Sequence, residues 1–101
     1  MSSTKEYLDF VLGQINGIEI TYKKMMGEYL LYKDGVLFAG IYDDRLLFKS
    51  TEKAKALFPN AEYAIPYDGA KPMIFCDFVD DSEQLTDFIK KLADQNGKWG
   101  N

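Results

Sequence analysis

The chain has 101 residues, of which 47% are hydrophobic and 28% charged, with no histidine and a formal net charge of −4. That length sets one domain with one core, and the apolar fraction excludes general disorder. No run approaches the roughly 20 apolar residues that a bilayer crossing needs, and the acidic balance weighs against direct contact with a phosphate backbone.

The N-terminal stretch is interrupted by Glu6 and Asp9, so it does not read as a signal peptide. Cys76 is the lone cysteine, which excludes an internal disulfide and fits a reducing, cytoplasmic setting. Ser3 and Glu6 have capping-box spacing, and Leu8, Val11, Leu12 and Ile15 recur on one helical face. Asn16-Gly17 supplies a stop, which predicts a first helix over 3–16.

A hairpin array follows. Asp34-Gly35 lies between two apolar runs and predicts a two-residue type I′ turn, in which both positions need positive φ. Asp43-Asp44 predicts a second turn leading into 45–49, and a short strand over 19–24 can precede the array. Met25-Met26 reads as a compact bend. Thr51 is an N-cap for a short helix that stops before Pro59. Strands are predicted near 61–65 and 73–78, joined by a 66–72 loop that contains Asp68-Gly69. The last helix starts near Asp81 or Ser82, carries Leu85, Phe88, Ile89 and Leu92 on one face, and stops at Asn96-Gly97. Residues 97–101 read as a loose end.

The expected fold is therefore α+β and two-layered. A mainly antiparallel five-stranded sheet has helices on one face, in the order α-β-β-β-α-β-β-α. Counting outward from the turns puts Leu31 opposite Phe38, Tyr29 opposite Gly40, Gly40 opposite Leu47 and Tyr42 opposite Arg45. Side chains alternate between faces. Leu30, Tyr32, Leu37, Ala39, Ile41, Leu46 and Phe48 then form a core face. Tyr29, Leu31, Lys33, Val36, Phe38, Gly40, Tyr42, Arg45, Leu47 and Lys49 form the other, apolar with a basic fringe.

A contiguous apolar surface of that kind marks an interaction site, with Tyr and Arg as favoured anchors. Tyr29, Leu31, Phe38, Tyr42, Arg45 and Leu47 are the candidate partner-binding residues. The partner expected is another protein, or a second copy of the chain. The competing reading is that residues 18–26 or the 66–72 loop cover this face, leaving Phe38 and Leu47 buried by their own chain.

Catalytic and metal chemistry find little support. Without histidine the commonest general base and metal ligand are missing. Cys76 sits in a strand pattern beside Asp77, a setting that does not favour a thiolate. Asp43 and Asp44 read as turn residues, and Asp77, Asp80 and Asp81 as a helix-capping cluster. Residues 69–72 lack phosphate-loop spacing. No cofactor, metal site or catalytic residue is expected. A small enzyme would require a polar pocket joining Lys71 and Asp77.

Four strings recur together in a familiar order: 25–32 (Met-Met-Gly-Glu-Tyr-Leu-Leu-Tyr), 35–40 (Gly to Gly), 41–46 (Ile-Tyr-Asp-Asp-Arg-Leu), and Tyr67-x-Gly69-Ala70-Lys71-Pro72-Met73. Together they span most of the chain and resemble the TfoX N-terminal-domain family. The resemblance implies an α-β(3)-α-β(2)-α fold like that of type III secretion chaperones. It also implies kinship with bacterial competence regulators, which act with the cyclic-AMP receptor protein at promoters and carry a second, helical domain. The chain is expected to be a stand-alone N-terminal domain, without that second part. The family supplies no catalytic residues, and Arg45, Lys71 and Pro72 match its motif positions.

The function expected is a non-enzymatic regulatory or adaptor domain acting by protein–protein interaction, with the transcription machinery or a regulator as partner. The alternative is a nucleic-acid-binding module that uses Lys33, Arg45 and Lys49 as a local basic patch.

Overall fold

A computed structural model describes residues 3–92. The stop predicted at Asn96-Gly97 and the loose end at 97–101 lie outside them. The elements run α1 (Lys5–Gln14), β1 (Thr21–Met25), β2 (Glu28–Lys33), β3 (Val36–Ile41), β4 (Leu46–Phe48), α2 (Glu52–Leu57), β5 (Tyr63–Ala64), β6 (Met73–Phe75) and α3 (Ser82–Leu92). The architecture is α+β with an antiparallel sheet, as expected, but the described residues form six strands rather than five. The addition is β1, which overlaps the 19–24 stretch where a short strand was anticipated and extends one residue past it. The spatial order is β1-β2-β3-β4-β6-β5.

Three consecutive hairpins close on two-residue turns in the left-handed region. Asp34 and Gly35 have φ of 53° and 78°, and Asp43 and Asp44 have 54° and 55°. The third turn, Met26-Gly27, has φ of 52° and 84°; it is the bend anticipated at Met25-Met26, moved on by one residue. Gly27 makes this hairpin favourable, because glycine carries no Cβ to clash in that conformation.

The cap of α1 is Thr4, whose side chain accepts from the Tyr7 N–H, and not Ser3. Ser3 is buried instead. Its hydroxyl donates to Glu28 Oε1 at 2.7 Å and accepts from the Asp44 N–H at 3.1 Å. The Thr4 N–H donates to Asp44 Oδ1 at 2.9 Å, so the start of α1 is fastened to the β3–β4 turn. At its other end, Ser82 Oγ donates to the Gln14 carbonyl at 2.6 Å, which gives an orphan helix carbonyl a partner from α3. Thr51 caps α2, and Asp81 Oδ1 accepts from the Gln84 N–H at 3.1 Å to cap α3.

The core lies between these helices and one sheet face. Leu8 and Val11 of α1, Ala54 of α2 and Leu85, Phe88 and Ile89 of α3 pack against it. Phe48, Phe58, Phe78 and Phe88 form its aromatic centre, with ring centroids 4.8–6.2 Å apart in the contacts Phe88 makes. These separations suit tilted and edge-on rings.

The hairpin register departs from simple counting at one place. Lys33 pairs with Val36 and Tyr32 with Leu37, but Leu31 pairs with Ala39 and Tyr29 with Ile41. Phe38 is the extra residue of a β-bulge. One added residue exchanges the faces of everything beyond it. Tyr29, Leu31 and Phe38 therefore join Ala39, Ile41 and Phe48 in the core, which corrects their assignment to the outer face. Leu30, Tyr32 and Leu37 move outward and are half-buried. The bulge lets two apolar residues of β2 and three of β3 enter one core, which strict alternation forbids.

Candidate binding cleft on the outer sheet face

Beyond the bulge, the outer face carries Leu30, Gly40, Leu47 and Phe75 in one ladder. Leu47 points away from its core neighbours Leu46 and Phe48, yet it is fully buried. An aromatic ring does lie across Gly40, but it belongs to Tyr42 rather than Tyr29. A Cβ on Gly40 would sit 2.5 Å from Tyr42 Cε2. Tyr67 then packs on Tyr42, with ring centroids 6.2 Å apart. The 66–72 loop thus reaches the outer face, as the competing sequence reading held.

Arg45 holds the segment before this loop in place. Its Nε donates to the Tyr42 carbonyl at 3.1 Å and its Nη2 to the Ile65 carbonyl at 3.3 Å. Ser50 Oγ donates to the Pro72 carbonyl at 3.1 Å, tying the far end of the loop to the segment after β4. Inside the loop, the Ala70 N–H donates to the Tyr67 carbonyl at 3.1 Å and Gly69 takes φ of 85°.

Between loop and sheet lies a cleft of about 460 Å³. Tyr42 and Tyr67 form its aromatic side. Lys49, Ser50 and Thr51 line it from the segment after β4, and Ala70, Lys71, Pro72 and Met73 from the loop and the start of β6. Burial, and next the neighbouring Tyr67, hold the Tyr42 phenol above its ordinary pKa. Glu28 also acts on Tyr42, but its carboxylate accepts from Ser3 Oγ and the Asp43 N–H. Asp77 does not line the cleft, so the polar pocket an enzyme would need between Lys71 and Asp77 is not the one formed here.

Of the six sequence-derived partner-binding residues, Tyr29, Leu31 and Phe38 lie in the core and Leu47 is covered. Tyr42 and Arg45 stay half-buried and belong to the cleft and its anchor. Lys33, placed in the basic fringe, instead pairs with Asp34 at 2.8 Å. Sequence reasoning missed Tyr67 as a site residue. Its signal was present in the Tyr-x-Gly-Ala-Lys-Pro-Met string, but only the folded chain sets it against Tyr42.

Cys76 is buried, and its thiol is pushed up to about 12, chiefly by burial. Among the described residues, no group of three or more His, Cys, Asp or Glu side chains is placed to hold a metal ion, and no helix is long and apolar enough to cross a membrane.

An "Uncharacterized 12.7 kDa protein in trpE 5'region" of Spirochaeta aurantia is 30% identical over 95 residues, covering 92% of this chain and 83% of that protein. No solved structure matches the chain. The TfoX N-terminal domain, which is not a known enzyme family, matches residues 14–95. The chain belongs to the TfoX N-terminal domain family.

Proposed function

We propose that this chain is a non-enzymatic regulatory or adaptor domain of the cytoplasm, related in role to TfoX-type competence regulators, that docks a protein partner at the Tyr42–Tyr67 cleft. The observation that carries this reading is Tyr67, 64% exposed, whose ring packs on Tyr42 at the mouth of the cleft. Aromatic side chains beside a concave, part-apolar surface favour protein docking. The buried thiol is a poor nucleophile and the chain lacks histidine, which supports a binding role over a catalytic one.

A photo-crosslinking amino acid placed at Tyr67 tests the reading in cells, with Glu6 on the exposed side of α1 as the control position. One protein crosslinked at Tyr67 and absent at Glu6 is the result expected. Equal crosslinking at both positions, or none at Tyr67, counts against it.

A second reading, nucleic-acid binding, draws on Lys49 and Lys71 beside an exposed tyrosine ring. The net charge of −4 disfavours it. It requires affinity that falls steeply with salt.

A further inference from the structure

We infer that the cleft recognises an acidic peptide segment of the partner, with carboxylates set against Lys49 and Lys71 and an apolar side chain against Tyr67 and Met73. This rests on the docking reading and specifies its chemistry. The chain has 16 acidic and 12 basic residues, yet the cleft is lined by two lysines and no carboxylate. Elsewhere Lys5 pairs with Asp9, Lys33 with Asp34, Lys55 with Glu52 and Lys91 with Asp87, whereas Lys23, Lys24 and Lys90 lie on open surface away from the cleft. Among the described residues neither Lys49 nor Lys71 forms an ion pair. The cleft is therefore a positive concavity on an acidic molecule, which attracts acidic chains and repels basic ones.

The donor set favours carboxylates over a phosphate group. Phosphate is best held by a guanidinium fork or by converging donors. Arg45, the only arginine, is committed to two backbone carbonyls. Ser50 donates to Pro72, and the Thr51 hydroxyl accepts from the Ala54 N–H. What remains is two lysine point charges and the Thr51 O–H along an aromatic and apolar floor, with no guanidinium fork among them. That arrangement fits acidic and apolar residues along an extended peptide. The cleft volume falls in the range of about 300–1,000 Å³ typical of ligand sites.

The test titrates ¹⁵N-labelled protein with five probes: the peptide Glu-Phe-Asp-Leu-Glu, blocked at both ends; its Gln/Asn counterpart; its Lys counterpart; inorganic phosphate; and dT12. The acidic peptide is expected to shift amides near Tyr42, Lys49, Tyr67 and Lys71, and to bind about tenfold more tightly than the neutral one. The same loss is expected in the Lys49→Gln/Lys71→Gln double variant, and a larger one in Lys49→Glu/Lys71→Glu. Any of four results overturns the inference: equal binding of the neutral peptide, no effect of charge reversal, tighter binding of phosphate or dT12, or shifts at the same amides from self-association alone. A partner still crosslinked at Tyr67 despite charge reversal would remove this inference and leave the docking reading standing.

Discussion

Gly40→Ala is the sharpest probe of how the outer face is built. A Cβ at this position would lie 2.5 Å from Tyr42 Cε2 and 2.8 Å from both Cζ and Oη. Carbon atoms pack comfortably at about 3.5–4.0 Å, so the ring must retreat by roughly 1 Å. All three close atoms belong to one side chain, which can swing without moving the strand. It gives up packing on Tyr67 as it does so. The expected cost is about 1–2 kcal/mol, the lower part of the overpacking range. For a domain of this size that lowers Tm by about 4–8 °C per kcal/mol. Urea denaturation followed by circular dichroism measures it, in wild type and in a Tyr42→Ala background. In that background the clash is gone, and Gly40→Ala should cost close to nothing. A cost equal in both backgrounds would refute the placement of Tyr42 over Gly40.

Other perturbations report on other parts of the molecule. Met26 is 93% exposed with φ of 52°, so Met26→Asn should raise stability by roughly 0.5–1 kcal/mol in thermal denaturation, because asparagine tolerates the left-handed region. Asp44→Ala removes the acceptor of the Thr4 N–H and leaves alanine at φ of 55°, for a loss of about 1–2 kcal/mol, with hydrogen exchange rising first in the first turn of α1. The Cys76 thiol should not react with Ellman's reagent at pH 8 until the protein unfolds. Its folded pKa is about 12, whereas an unfolded thiol titrates near 8.5. Its stabilising contribution is therefore complete below the unfolded value and is lost as pH rises toward the folded one. Urea midpoints from pH 9 to 10.5 should show wild type losing up to about 1.4 kcal/mol per pH unit more than Cys76→Ala.

The local chemistry of this fold is readable in its residues. Asp34-Gly35 and Asp43-Asp44 announce their turns because so few residue pairs accept two consecutive positive φ angles. The face of α3 is equally plain, since Leu85, Phe88, Ile89 and Leu92 keep a helical period and are buried together. Phe38 is where the reading breaks. A bulge leaves no compositional mark in an apolar strand, and one uncounted residue exchanges Tyr29 and Leu31 with Leu30 and Tyr32 between the faces. Ser3 fails for a related reason. Its capping-box spacing is correct, but long-range hydrogen bonds to Glu28 and Asp44 outcompete the local role. The cleft is the least legible feature, because it joins Tyr42, the 49–51 segment and residues 67–73. Arg45, the Ser50–Pro72 hydrogen bond and the Tyr42–Tyr67 contact bring those segments together only in the folded chain.

The central claim is that the domain works through the Tyr67 side of its outer face, and quantitative affinity capture from a native cell lysate tests it most directly. Tagged wild type is compared with Tyr67→Asp and with Met26→Asp, both exposed positions where a charge is tolerated in the fold. One partner retained by wild type and Met26→Asp but lost by Tyr67→Asp, with all three proteins equally folded by circular dichroism, is the predicted result. A partner held equally by all three, or lost equally from both variants, would contradict the account.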